Sequence, residues 1–340
     1  MVYTLITGGT GYIGSHICFE LYKTNKKIIV IDNFSTSKES VRDTIHSKCP
    51  DIEFYSFNIG DKLLLSNVFN KYKISNVIHL AGYKSILESI KYPLKYYNNN
   101  ITETIVLLEV MESFNCTNMI FSSSATVYGH QKDVPINESA ITYKKQTNPY
   151  GKSKLIIEMM LEDLSSQQSK WNIVILRYFN PVAADKSGLI GEDPKEQPSN
   201  LFPHILNVYQ GKTNKLTIFG DDYRTIDGTC IRDFIHVSDL AEAHISAIDF
   251  IKNKPSVYEI FNIGTGKWNT VLQIVNRFNE LSNNKVPYVF GKRRDGDIDF
   301  CFANCSKASS LLKWEAKKNL DDMIRDSINR TDYLNSVNSS

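Results

Sequence analysis

Short β-rich runs alternate with stretches of helical spacing through the first half of the chain, the pattern of parallel strands joined by right-handed helical crossovers. Strands are predicted at Tyr3–Thr7, Lys27–Asp32, Glu53–Asn58, Asn76–Leu80, Asn118–Ser123 and Asn172–Tyr178. Helices are predicted in the gaps, notably Gly14–Lys23, Lys62–Lys71, Pro93–Ser113 and Pro149–Ser165. Six such strands predict an α/β fold built on a doubly wound parallel sheet, whose ligands lie beyond the carboxyl ends of the strands.

After Tyr178 the rhythm breaks into loops holding Pro181, Gly188, Gly191, Pro194 and Pro198, the expected departure into a second, smaller α/β unit. Phe234–Asp249 and Val257–Ile263 again read as a helix and a strand that rejoin the sheet. The predicted division is therefore interleaved. Residues 1–180, with returning segments near 234–263, form the dinucleotide-binding unit, and residues 181–233 and 264–340 form the substrate unit. There is no internal repeat, and the polar tail Asn335–Ser340 is expected to fray.

Composition narrows the function classes. The 340 residues carry 39 Lys+Arg against 37 Asp+Glu, a net +2, with 42% hydrophobic and 22% charged residues, which is ordinary globular composition. Basic runs are short, such as Lys292-Arg293-Arg294, so nucleic acid is not an expected partner. No run approaches the 18 apolar residues of a membrane helix, and a strand beginning directly after Met1 leaves no signal peptide to expect. Six cysteines without a Cys-x-x-Cys spacing predict free thiols, no metal site and a cytoplasmic location.

The first strand runs into Gly8-Gly9-Thr10-Gly11-Tyr12-Ile13-Gly14. Gly8 allows a tight turn, Gly11 lets backbone NH groups approach a pyrophosphate, and Gly14 lets the helix pack on the strand, with the helix amino terminus facing the phosphates. Asp32 follows 18 residues after Gly14 at the end of the second strand. There its carboxylate suits a ribose diol and would repel a 2′-phosphate, which favours NAD over NADP. A glycine triplet alone is a weak signal; the strand before it, the helix after it and the acid make it a Rossmann-type site.

Tyr150 and Lys154, in Asn148-Pro149-Tyr150-Gly151-Lys152-Ser153-Lys154, share one helix face at i, i+4. A phenol is a poor base at neutral pH unless neighbouring cations favour its anion, and Lys154 and a nicotinamide ring are the expected cations. Lys154 is also expected at the nicotinamide ribose. Ser124, just past the fifth strand, is expected to relay a proton between a substrate hydroxyl and Tyr150. Tyr-x-x-x-Lys is common as a solvated helical pair; the glycine loop and the strand-end serine turn the reading toward catalysis.

With these residues in view, the chain resembles the extended short-chain dehydrogenase/reductases, and among them the UDP-hexose 4-epimerases. The resemblance covers nearly the whole chain and is most specific at Thr7–His16, Phe121–Gly129, Asn148–Leu155, Arg177–Val182, Arg232–Ala241 and Arg293–Asp297. It implies NAD contacts at Gly8, Gly11, Tyr12, Ile13, Gly14, Asp32, Asn33, Asn58, Ile59, Leu80, Lys84, Asn99, Ser124, Tyr150, Lys154 and Phe179. It implies UDP-sugar contacts at Lys84, Ser124, Tyr150, Asn180, Asn200, Leu201, Phe219, Arg232, Arg294 and Asp297. The types suit those tasks: guanidinium forks for a diphosphate, a carboxylate for a ribose diol, an aromatic face for uracil.

The implied reaction interconverts UDP-glucose and UDP-galactose through a 4-keto sugar, with NAD retained, in a homodimer built from the Pro93–Ser113 and Pro149–Ser165 helices. Three positions depart from the family's pattern. Asn58 replaces an aspartate expected at the adenine, Ala183 replaces a common glycine, and Cys301 stands where glucose-only members have a bulky tyrosine. The small Cys301 leaves room for a 2-acetamido group, so UDP-GlcNAc and UDP-GalNAc are expected as further substrates. Against a 4,6-dehydratase, the chain has Ala125-Thr126 where those members carry Asp-Glu. A decarboxylase or uronate epimerase matches less closely over the sugar-binding stretch. A non-catalytic NAD sensor would have no use for the Ser124, Tyr150 and Lys154 set.

Overall fold

The computed structural model describes residues 1–142, 148–167, 170–193, 195, 200–252, 254–294 and 297–338. Pro194 and Pro198 of the predicted loop, and the last two residues of the tail, lie outside them.

Apolar runs in the first half form five parallel strands: β1 Tyr3–Thr7, β2 Lys27–Ile31, β3 Glu53–Tyr55, β4 Ile74–His79 and β5 Asn118–Ser124. The helices between them are α1 Tyr12–Tyr22, α2 Glu39–Lys48, α3 Lys62–Lys71, α4 Ile86–Lys91, α5 Pro93–Tyr97 and α6 Glu103–Ser113. Next come α7 Pro149–Gln167, β6 Asn172–Tyr178 and β7 Asn180–Val182. The rest of the chain supplies α8 Leu201–Tyr209, β8 Leu216–Phe219, β9 Ile231–Arg232, β10 Phe234–His236, α9 Val237–Ile251, β11 Val257–Ile263 and β12 Asn269–Thr270. It closes with α10 Val271–Ser282, β13 Tyr288–Gly291, β14 Phe300–Cys301 and α11 Leu320–Asn338.

The central sheet has seven strands in the order β11-β6-β5-β4-β1-β2-β3, every pair parallel. Strand order reverses between β1 and β4, and a ligand crevice opens there at the carboxyl ends. Each face buries its own apolar layer. Ile6, Val30, Ile78 and Val174 pack with α1 and α9 on one side, while Leu5, Val77, Phe121 and Ile175 pack with α3, α6 and α7 on the other. Because both faces are covered, the strands read as continuous apolar runs.

Away from this sheet lie three small ones: β10 with β7, β9 between β12 and β14, and β13 with β8. Their core is separate, built around Phe202, Ile205, Phe278 and Ile324.

Several elements differ from expectation, four of them with a consequence for the site or the fold. Phe234–His236 is a strand paired with β7, because a long-range partner overrides the local helical signal. The Pro93–Ser113 helix contains a π turn at Asn98–Thr102 between α5 and α6. β3 stops at Tyr55, short of Asn58. The helix α11 runs to Asn338, so Asn335–Asn338 is ordered helix and not a frayed tail.

Candidate active site

The glycine loop fills the β1–α1 turn. Gly8 has φ +71°, and a Cβ there would meet the Ala81 backbone nitrogen at 2.9 Å. A Cβ on Gly14 would lie 2.4 Å from the Gly8 carbonyl oxygen, so only glycine lets α1 sit this close to the loop. Gly11 caps α1 without a side-chain hydrogen bond, which leaves the first-turn NH groups for a ligand. Asp32, one residue past β2, accepts from Thr10 N at 3.0 Å, Phe34 N at 2.9 Å and Ser37 Oγ at 3.2 Å. It thereby fixes the loop edge where a ribose would lie. The cradle, the uncapped helix and the acid fit a dinucleotide.

The other expected cofactor residues are distributed along the same edge. Asn33 is exposed and accepts from Ser35 N at 2.9 Å, Ile59 is buried behind the β3 loop, and Leu80 N donates to Thr7 O at 3.2 Å. Ile13 packs against the core beneath the loop. Phe179 is buried just past β6, its NH on Ile263 O at 3.0 Å. The Asn58 side chain accepts from Gly60 N at 2.7 Å and donates to Glu103 Oε1 at 2.8 Å; Asn99 donates to the same oxygen at 2.9 Å.

At the carboxyl end of β5, Ser124 caps a 3-10 turn, its Oγ accepting from Thr126 N at 3.2 Å. Burial raises the Tyr150 phenol above its ordinary pKa, and a hydrogen bond with Ser124 works in the opposite direction. The start of α7 closes on the turn after β5, where a Cβ on Gly151 would lie 3.1 Å from Thr126 O, and this brings Tyr150 toward Ser124. Lys154 is placed differently from expectation: its Nζ donates to Ser122 O at 2.7 Å, over the Phe121 ring, rather than to the phenol. Burial brings its pKa down to about 8, against an upward pull from Glu158. The structure therefore does not display the expected lowering of the phenol by the ammonium.

A buried network that sequence reading missed supports this edge. Glu158, one turn beyond Lys154, accepts from Arg177 Nη2 at 2.6 Å, Arg177 Nε at 3.0 Å and Ser123 Oγ at 2.5 Å. It grips β5 and β6 from α7 directly under Ser122–Ser124. Asn100, in the π turn, donates to Ser153 Oγ at 3.1 Å and so ties α7 to the loop after β4.

Across the crevice, the expected sugar-nucleotide residues are already paired with protein. Arg232 forms an ion pair with Asp297 and donates to Ile298 O at 2.9 Å. Tyr223, missed at the sequence level, donates to Asp297 Oδ2 at 3.2 Å. The Arg294 guanidinium stacks on the Phe219 ring at 4.2 Å. Asn180 Nδ2 donates to Asp233 O at 3.1 Å, and Asn200 leads into Leu201 at the start of α8.

Glu192 was also missed. It accepts from Lys84 Nζ and from Asn200 Nδ2, each at 3.2 Å, and it adds to the burial that raises the Tyr12 phenol; Tyr12 donates to Ala183 O at 2.8 Å. Cys301, on β14 opposite Arg232, is half-buried, its thiol pushed up to about 11 by burial.

A glycine-cradled crevice at the switch point of a doubly wound sheet, with a serine and a tyrosine at its rim, defines a Rossmann-type dinucleotide enzyme. The chain belongs to the NAD dependent epimerase/dehydratase family, whose model matches residues 4–264. It is similar to the UDP-glucose 4-epimerase of Yersinia pestis, 46% identical over 326 residues that cover 96% of each chain. Among solved structures it resembles UDP-glucose 4-epimerase from Bifidobacterium longum in complex with NAD+ and UDP, with TM-score 0.93 and 41% identity over 97% of this chain and 98% of that one. It also resembles the UDP-Glc/GlcNAc 4-epimerase from Campylobacter jejuni, with TM-score 0.84 and 32% identity over 98% of this chain and 100% of that one.

Proposed function

We propose that the chain is an NAD-dependent UDP-glucose 4-epimerase that interconverts UDP-glucose and UDP-galactose through a 4-keto sugar. The observation that carries this reading is the approach of Tyr150, at the start of α7, to Ser124 at the carboxyl end of β5, the same sheet edge that carries the glycine loop after β1. The relatives' names point the same way. Residues 1–180 with the returning segments near 234–263 hold the dinucleotide in this reading, and 181–233 with 264–340 hold the UDP-sugar.

NAD, which the glycine loop and Asp32 would hold, would supply a reversible hydride acceptor for C4 of the sugar. The chain's own residues do the rest. Tyr150, as the phenolate that the nicotinamide and Lys154 cations would favour, takes the 4-hydroxyl proton, directly or through Ser124 Oγ, and returns it after the ketone has turned over. Lys154 rests on Ser122 O and would turn its ammonium toward a ribose hydroxyl and the phenol once the dinucleotide is bound. Arg232 and Arg294 hold the diphosphate as a swivel point, Asp297 the ribose, Phe219 the uracil. Lys84, Asn180, Asn200 and Leu201 line the path between them.

We extend the substrate range to UDP-GlcNAc and UDP-GalNAc, because Cys301 is small where the 2-substituent would face it. Coupled assays on the four UDP-sugars without added NAD test both parts. Turnover of both pairs is expected, and Cys301→Tyr should remove the acetamido activity while sparing the other; a wild-type protein inert toward the acetamido pair contradicts the extension.

The homodimer reading is supported by exposed apolar residues on the expected helices: Leu94, Ile105, Ile156 and Met159 are 79, 40, 38 and 54% exposed. All six cysteines are free, in keeping with a reducing, cytoplasmic setting. Among the described residues no helix is long and apolar enough to cross a membrane.

A further inference from the structure

Beyond β2 and β3, on the same sheet edge as Asp32, lies a carboxylate whose hydrogen bonding is incomplete. Glu103 opens α6 directly after the π turn Asn98–Thr102, a local insertion of a kind that recurs at functional sites. Its Oε1 receives two amides, from Asn58 Nδ2 at 2.8 Å and Asn99 Nδ2 at 2.9 Å. Its Oε2 has no hydrogen-bond partner among the described residues. The side chain lies against the tip of the β3 loop, with Cγ 3.1 Å from where a Cβ on Gly60 would stand.

The neighbouring amide is less free to act. Asn58 uses its Oδ1 on Gly60 N at 2.7 Å and its Nδ2 on Glu103. What Glu103 presents beside this loop is therefore a half-buried, oriented carboxylate oxygen that no protein donor occupies among the described residues. The dinucleotide's place on such a sheet is set: the ribose meets the acid at the end of β2, and the adenine continues outward past β3. The donor an adenine offers is its exocyclic amine.

We propose that Glu103 recognises adenine in the dinucleotide site, its Oε2 accepting a hydrogen bond from the 6-amino group while Asn58 and Asn99 orient it. This rests on the NAD-binding reading above and names a residue for its adenine end. A bond to a charged acceptor contributes roughly 1.5–3 kcal/mol, a factor of about ten or more in affinity. Partial burial, which raises the Glu103 pKa, keeps the acceptor in a setting where such a bond counts for more than in water.

The test compares NAD with nicotinamide hypoxanthine dinucleotide, in which the 6-amino donor is replaced by a 6-oxo acceptor. Full-length protein is equilibrated to a constant ratio with an equimolar mixture of the two, freed of unbound nucleotide, and the bound dinucleotides are quantified. The wild type is expected to hold NAD in large excess. Glu103→Gln, whose amide can turn to donate to the 6-oxo group, should shift the bound ratio toward the hypoxanthine form by about tenfold. Glu103→Ala should shift it in the same direction, and Asn58→Ala should shift it less than either.

An unchanged ratio in Glu103→Gln, with both dinucleotides still bound, overturns the assignment and leaves the NAD reading standing. A ratio that collapses in Asn58→Ala but not in Glu103→Gln also overturns it, since Asn58 would then be the reader. If the wild type retains neither dinucleotide, the NAD reading falls and this inference with it.

Discussion

The two walls of the crevice are built on different principles. The cofactor wall is backbone: a glycine turn that would reject a Cβ, an uncapped helix start and strand ends fixed in register by a seven-stranded sheet. The sugar-nucleotide wall is side chain, drawn from loops and two- or three-stranded sheets, and its charges are already spent on one another. Arg232 is on Asp297, Lys84 and Asn200 are on Glu192, and Arg294 is on Phe219. On the proposed reading, a dinucleotide would enter a site formed in advance, whereas a UDP-sugar would have to replace these protein partners with its own oxygens. That is a natural arrangement for a cofactor that stays and a substrate that leaves.

Acid should separate the walls most strongly. Burial holds His16 and His244 near pKa 4 and His79 near 3, all three in the cofactor half. Their folded values lie below the unfolded one, so the stability they contribute is present above about pH 6.5 and is lost as pH falls toward 4. Each costs up to about 1.4 kcal/mol per pH unit across that window. Thermal unfolding followed from pH 7 to pH 4 should show a steep fall accompanied by dinucleotide release; a flat profile would contradict the burial of neutral histidines.

A smaller effect is expected on the other wall. Glu192→Gln removes the carboxylate that holds Lys84 and Asn200, so both become available to phosphate oxygens. UDP should bind about threefold tighter, within the range of an exposed ion pair, and calorimetry of the two proteins checks it. Weaker UDP binding would show Glu192 to be part of the ligand contact set.

An effect of comparable size lies at the junction of the walls. Ala183 sits at φ +76°, a left-handed conformation that costs a residue with a Cβ about 1–2 kcal/mol. This gives a consequence to a departure that sequence alone left without one. Ala183→Gly should raise the stability by about 1 kcal/mol, read as a higher Tm, with Tyr12 still bonded to residue 183 through its backbone oxygen.

What was legible in the sequence follows the same contrast. β1, β6, β11 and α3 have the bounds predicted; in β1 and β6 burial on both faces leaves a continuous apolar run, and in α3 Leu65, Val68 and Phe69 keep a helical spacing. The helix α2 was missed: of its ten residues only Ile45 is buried, so there is almost no apolar stripe to see. The pairing of β8 with β13 joins residues 72 apart, such as Tyr288 and Leu216, and nothing local announces it. Glu192 and Glu103 are ordinary acids in sequence; only their partners, 108 and 45 residues away, give them meaning. The Tyr150–Ser124 approach was legible because a strand end and a helix start fix it, and the Lys154 placement was not because a long side chain chooses among acceptors.

The central claim is that the Tyr150 oxygen carries the sugar's proton. The direct measurement is the rate of UDP-glucose to UDP-galactose conversion by Tyr150→Phe, alongside its dinucleotide content. Full loading is expected, with a rate lower by roughly two to four orders of magnitude, the loss typical of a removed acid-base group. Full loading with wild-type turnover would contradict it.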